Sequence, residues 1–309
     1  MSWQLSVLRI VLRRIVRPAL GHMPDPLTAR RWFERTVPVY APGQHAARLI
    51  SDRVRHGGHE IAVEWTAPAC PDAPIILYFH GGGYVMGSPR THAALACRLT
   101  RETEIPICLP KYRLAPEYPF PAAFEDALLA WNALRAQGHA ARNIVLGGDS
   151  AGGGLALALL AHLCSEAAPS PACCFVFSPF VDLTCSGASI TENADRELVL
   201  PDHRIPEICA HVLAGADPHD ARISPLFGNF QSASPVFVQA AQTELLRDDS
   251  CRMAAKLRHD GADVTLQLWG DLPHAWHIYH VWLPEARMAL RAAASFIIQH
   301  TRSHPSADS

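Results

Sequence analysis

The sequence predicts an α/β protein with a mainly parallel central sheet and helices on both of its faces. Two observations carry this. Short apolar strand patterns alternate along the 309 residues with longer helix patterns. Two glycine-rich turns, His80-Gly81-Gly82-Gly83 and Gly148-Asp149-Ser150-Ala151-Gly152, each directly follow a strand pattern.

The elements follow in chain order. Met1–Leu20 alternates apolar residues with Arg9, Arg13, Arg14 and Arg17, and Arg9, Arg13 and Arg17 fall on one helix face. The arginines break the unbroken apolar segment that a signal peptide needs. A basic amphipathic helix of this kind suits a membrane surface, and Pro18, Pro24 and Pro26 are expected to end it. Strands are expected at Ile61–Thr66, Ile75–Phe79, Ile105–Leu109, Ile144–Leu146, Cys173–Phe177, Val236–Ala240 and Val264–Leu268. Helices are expected at Thr91–Arg101, Pro121–Gln137, Gly152–Cys164, Asp249–His259 and Leu283–Gln299. Asp182–Pro218 interrupts the alternation with a helix pattern at Pro206–Leu213 and no strand, which reads as an insertion. Ser303–Ser309 reads as a loose tail.

The two turns carry chemistry. A Ser between glycines at a tight strand-to-helix junction projects its Oγ above the sheet, with the following helix pointing its first N–H groups at developing negative charge. This is the nucleophile elbow of an α/β-hydrolase, and it makes Ser150 the candidate nucleophile. The glycines after Ile75–Phe79 offer backbone N–H groups that approach a substrate closely. Gly82, Gly83 and Ala151 are the candidate oxyanion-hole donors, supported by His80, Gly81 and Asp149.

Three segments together resemble the hormone-sensitive-lipase-like (bacterial family IV) esterases. They are His80-Gly81-Gly82-Gly83, Gly148-Asp149-Ser150-Ala151-Gly152-Gly153 and Tyr112-Arg113-Leu114-Ala115-Pro116-Glu117. The similarity extends through Phe120–Asp126 to Ser224-Pro225-Leu226 and covers roughly residues 60–300. The resemblance implies an α/β-hydrolase fold of residues 51–302 with a helical cap over the acyl pocket, built from residues 1–50 and about 182–218. That placement of the N-terminal helix is preferred to membrane contact through residues 1–20. A homodimer through the sheet edge is common in that family, and nothing in this sequence shows it.

A Ser hydroxyl needs a base, and the base needs an orienting acid. The chain order in such folds is Ser, acid, His. The strand at Val236–Ala240 is followed by Gln242-Thr243-Glu244-Leu245-Leu246-Arg247-Asp248-Asp249. The family pattern, an Asp preceded by Leu-Arg, maps onto Asp248, with Asp249 and Glu244 as weaker candidates. After Val264–Leu268, the loop Gly270–Trp276 supplies His274 as the expected base. His80 and Asp149 are expected to be structural, and Arg113 and Glu117 to form an ion pair behind the site.

Composition excludes more than it proposes. The formal charge of −2 with no basic stripe points away from nucleic acid, and no run of 18 uncharged apolar residues exists to span a membrane. Nine scattered cysteines without Cys-x-x-Cys spacing suit buried free thiols in a reducing, cytoplasmic setting. Among 17 histidines only His274, His277 and His280 are close, without an accompanying carboxylate motif, so neither metal nor organic cofactor is expected. The expected activity is a serine carboxylesterase acting on short- to medium-chain acyl esters. The alternatives are a lactone hydrolase or deacetylase using the same residues, a membrane-acting lipase, and a ligand receptor on the same fold. His274 speaks against the receptor.

Overall fold

The computed structural model describes residues 2–40 and 48–302, with the backbone alone at 38–40 and 302. Elements in chain order are α1 (Trp3–Val11), a π-helical turn (Leu12–Val16), α2 (Arg17–Gly21), α3 (Pro26–Tyr40), β1 (Ile50–His56), β2 (His59–Trp65), β3 (Ile75–Phe79), α4 (Ala93–Thr103), β4 (Ile107–Pro110) and α5 (Ala122–Ala136). Then come β5 (Ile144–Asp149), α6 (Ala151–Ser165), β6 (Cys173–Phe177), α7 (Ser189–Glu192), α8 (Ile205–Leu213), β7 (Val236–Ala241), α9 (Arg247–His259), β8 (Val264–Trp269) and α10 (Pro284–Arg302).

The eight strands form one sheet in the order β1-β2-β4-β3-β5-β6-β7-β8. β1, β2 and β4 pair antiparallel, and β4 through β8 run parallel. The central strands β3, β5, β6 and β7 are buried along their whole length, because helices cover both faces. One face packs Leu134 of α5, Leu155 and Leu159 of α6 and Met253 of α9 into the larger core. The other packs Leu95 and Leu99 of α4 against Leu290 and Ile297 of α10. Helix α6 is apolar on nearly every side because its surroundings are: Ala151–Ala161 is buried throughout.

All seven expected strands are present. The eighth, β1, was not expected; its Ser-Asp-Arg-Val-Arg-His run is charged because it is an outer strand with only Val54 buried.

The N-terminal helices form a third cluster. Leu5, Leu8, Leu12 and Val16 are buried against Leu198, Leu272, Trp276 and Tyr279. Pro18 does not end this helix, which continues to Gly21. The π turn lets the Arg17 N–H bond back to Leu12 O, five residues away, and Pro18 falls in the first turn of α2, where a missing N–H is tolerated. The break comes at His22–Asp25, and Asp25 then caps α3 by accepting from Thr28 N at 2.8 Å. The arginine face turns onto the protein. Arg9 lies 3.9 Å from Asp271, Arg13 donates to Asp195 O, and Arg17 donates to Ala194 O and Asp202 at 2.8 and 2.9 Å. No described helix is long and apolar enough to cross a membrane.

The thiols are less uniformly buried than expected. Cys108, Cys173, Cys174 and Cys209 are buried, Cys70 is exposed and Cys97, Cys164, Cys185 and Cys251 lie between; all nine are free. The expected tail at 303–309 and residues 41–47 of the N-terminal segment lie outside the described residues.

Candidate active site

The candidate site stands at the carboxyl ends of β3, β5, β7 and β8, parallel strands of one sheet with β6 between β5 and β7, where an open α/β sheet places its crevice. β5 ends in Asp149, and Ser150 makes the turn into α6 with φ 52° and ψ −123°. This left-handed, strained geometry is held by Ser150 N donating to Phe177 O at 2.8 Å and by Gly154 N and Phe180 N converging on Ser150 O. The glycines beside Ser150 are required by close approach. A Cβ on Gly152 would lie 2.1 Å from Phe79 O, and one on Gly148 would lie 2.3 Å from Gly152 O.

From Ser150 a hydrogen-bond chain runs inward. Ser150 Oγ donates to His274 Nε2 at 2.9 Å, and His274 Nδ1 donates to Glu244 Oε2 at 2.7 Å. All three residues are buried, and Glu244 and His274 are 0% and 6% exposed. Glu244 stands in the turn just past β7, and its Oε1 accepts from Ala241 N and Ser178 Oγ. Ser178 Oγ also accepts from Ala275 N at 3.2 Å, so one hydroxyl bridges Glu244 and the loop carrying His274.

The expected acid Asp248 is not in this chain. It lies in the first turn of α9, four residues beyond Glu244, where Oδ1 pairs with Arg247 and Oδ2 accepts from Ser189 N at 2.9 Å. Asp249 turns the other way and accepts from Val181 N and Asp182 N. The physical reason for the correction is reach: from the strand end, the longer Glu side chain meets His274, while the helix carries Asp248 past it. The sequence signal for Glu244 is an acid directly after a late strand, which competes with the Leu-Arg-Asp pattern downstream.

Electrostatics fits a base at His274. Burial pulls its pKa down, but the bond to Glu244 and that residue's charge, with Glu197 and Asp149 adding, leave it above the ordinary 6.5. His80 is the opposite case. Burial and the neighbouring His92 push its pKa down to about 3, so it is neutral. It stacks on Tyr112 with centroids 4.3 Å apart and donates from Nδ1 to Gly81 O, while Tyr112 OH holds His80 O at 2.7 Å.

Asp149 accepts from Tyr78 OH at 2.8 Å, Gly81 N at 3.1 Å and His92 Nε2 at 3.2 Å, which ties the glycine loop to β5. Gly82 has φ 124°, a conformation an L side chain resists, and a Cβ there would lie 2.2 Å from Met86 O. The N–H groups of Gly82 and Gly83 have no hydrogen-bond acceptor among the described residues. Ala151 is the first residue of α6, directly after Ser150.

The expected Arg113–Glu117 pair does not form. Arg113 pairs with Asp126 and Glu125, and Glu117 is taken by Arg30 of α3, which also binds Val85 O and Ala115 O. Arg30 thus fastens the N-terminal segment to the loop behind the glycines. His277 stacks on Phe177 and donates to Gln239, and His280 bonds to His277 O. Among the described residues no three His, Cys, Asp or Glu side chains are arranged to hold a metal ion.

A cavity of about 150 Å³ opens over Ser150 and His274 and is lined by Gly81, Gly82 and Gly83. Its walls are mostly apolar: Val16 and Leu20 from the N-terminal helices, Phe33 from α3, Val199 and Leu200, and Ile208 from α8. Arg204 and Glu207 also line it, as does Asp149 beside Ser150.

The chain is similar to proteins of known fold and activity. Residues 76–278 match a protein family described by its alpha/beta hydrolase fold. The chain is 39% identical to an acetyl-hydrolase of Streptomyces hygroscopicus, over 78% of this chain and 80% of that protein. It is 30% identical to an ethyl acetate hydrolase of Pseudomonas putida, over 90% of this chain and 92% of that one. The crystal structure of an esterase from the bacterial hormone-sensitive lipase family superposes with a TM-score of 0.86 at 32% identity, covering 97% of this chain and 99% of that one.

Proposed function

This chain belongs to the hormone-sensitive-lipase-like esterases of the α/β-hydrolase fold, and on that footing we propose that it is a serine carboxylesterase acting on short- to medium-chain acyl esters. The observation that carries the proposal is the unbroken chain from Ser150 Oγ through His274 to Glu244, at 2.9 and 2.7 Å.

The reaction follows from the placement of these groups. His274 Nε2 takes the hydroxyl proton as Ser150 Oγ attacks the ester carbonyl, and Glu244 holds the imidazole in the tautomer that leaves Nε2 free to accept. Negative charge then develops on the carbonyl oxygen, where the N–H groups of Gly82, Gly83 and Ala151 receive it. Each such donor is worth about 10²- to 10³-fold in rate. The imidazolium returns its proton to the leaving alcohol, and a water activated by the same imidazole releases the acid from Ser150. No step calls for a metal or an organic cofactor.

The described residues of 1–50, with 182–218, act in this reading as a cap on the 51–302 hydrolase body, because Val16, Leu20, Phe33, Val199, Leu200 and Ile208 wall the cavity above Ser150. A small apolar cavity supports short acyl groups, and the relatives' names, acetyl-hydrolase and ethyl acetate hydrolase, support the short end of that range.

The test is hydrolysis of p-nitrophenyl esters from acetate to palmitate by wild type and Ser150→Ala. Turnover of short chains that is lost in the variant is expected. Folded wild type with no turnover at any length would overturn the proposal and move attention to lactones.

A further inference from the structure

We propose that Glu197 is a positioning residue of the active site: its buried carboxylate fastens the cavity wall to the backbone beside Glu244 and sets a second negative charge behind His274. The inference rests on the esterase reading of the Ser150–His274–Glu244 chain. Glu197 is 1% exposed. Its Oε1 accepts from Leu198 N and Val199 N at 2.8 Å and from Leu200 N at 3.4 Å. Its Oε2 accepts from Leu245 N at 3.1 Å, the residue directly after the acid. One side chain therefore joins two parts of the site, since Val199 and Leu200 line the cavity and Leu245 belongs to the acid turn.

Neighbouring side chains reinforce the join. Asn193 donates to Gln242 O and Glu244 O at 3.1 and 2.9 Å, and Ser189 donates to Leu245 O at 2.6 Å. These contacts are neutral, so tying the segment down does not by itself require a carboxylate. A buried carboxylate is costly unless donors and opposite charge compensate it. Four backbone N–H groups supply the donors. No Arg or Lys among the described residues pairs with Glu197.

The opposite charge is the imidazolium that His274 becomes in each acyl-transfer step. Burial and the Glu244 charge raise the Glu197 pKa, opposed by His274 and by the backbone N–H groups; Glu197 in turn helps to raise that of His274. The other groups acting on His274 are Glu244 and Asp149, which favour its cation, while burial pushes the pKa of His277 well down.

Glu197→Gln removes the charge and turns an amide N–H₂ toward backbone donors. The pH profile of kcat/KM for p-nitrophenyl butyrate is expected to keep its shape, with the acid limb moved about 0.5 to 1 unit lower. Glu197→Asp keeps the charge but loses a methylene of reach. Its acid limb is expected to stay at the wild-type pH while kcat/KM falls.

A folded Glu197→Gln with the wild-type limb would overturn the inference, as would Glu197→Asp with unaltered kcat and KM; should the Gln variant not fold, the Asp variant decides alone. A third arm needs no turnover. NMR titration of the His274 imidazole in Ser150→Ala and Ser150→Ala/Glu197→Gln is expected to show a lower pKa in the double variant, and an equal one would overturn the inference. An inactive wild type would sink the esterase reading and leave this arm standing, so the two failures are distinguishable.

Discussion

At the scale of single residues, the choice between Glu244 and Asp248 decides how the site works. Glu244 is fully buried and bonded to His274, whereas Asp248 is engaged by Arg247 and Ser189. Glu244→Gln is therefore expected to lower kcat by about 10³- to 10⁴-fold, the cost of losing an orienting acid. Asp248→Asn is expected to leave kcat within about threefold and to lower stability by about 1 kcal/mol through its lost contacts. Steady-state kinetics and thermal unfolding of the two variants check both statements. The pH dependence follows from His274. In the proposed mechanism His274 acts only when neutral, and its pKa lies above 6.5 because Glu244, Glu197 and Asp149 outweigh burial. The kcat/KM profile is thus expected to fall on the acid side through a midpoint above 6.5. A midpoint well below that value would contradict the charge arrangement around His274.

At the scale of elements, the turn from β5 into α6 and the glycine loop after β3 were legible in sequence because their geometry dictates their residues. Only glycine fits where Gly152 meets Phe79 O, so spacing alone marks Ser150. The acid turn after β7 imposes no such restriction. Any carboxylate of suitable reach serves there, and the choice among Glu244, Asp248 and Asp249 is made by where β7 ends and α9 begins. β1 went unread for a related reason. As an outer strand it has no apolar periodicity, and its signal was the Gly57-Gly58 pair that closes a two-residue hairpin onto β2. Pro18 misled in the other direction, since the π turn before it removes the clash that would end a helix. The N-terminal helix gives a test at this scale. Leu20 lines the cavity from α2, so Leu20→Trp is expected to lower kcat/KM for octanoate against acetate while leaving the pH midpoint in place. Ester-series kinetics with equal losses for both chains would mean that this helix does not bound the acyl chain.

At the scale of the molecule, the sheet explains why residues so far apart in sequence meet. Ser150, Glu244 and His274 follow β5, β7 and β8, and Gly81–Gly83 follow β3, so parallel strands deliver all four groups to one edge. The alternation of strand and helix patterns makes that arrangement readable from the sequence. What covers the edge was less readable, because the covering segments carry no periodic strand pattern and are held by individual contacts such as Arg30 to Glu117 and Glu197 to Leu245. The central claim is that Ser150 is a nucleophile activated through His274 by Glu244. It is tested most directly by reacting wild type, Ser150→Ala, Glu244→Gln and Asp248→Asn with a p-nitrophenyl alkylphosphonate and locating the added mass by peptide mass spectrometry. One phosphonyl group on the peptide containing Ser150 is predicted for wild type and Asp248→Asn at similar rates, far slower labelling for Glu244→Gln and none for Ser150→Ala. Labelling at another residue, or Glu244→Gln reacting as fast as wild type, would contradict the account.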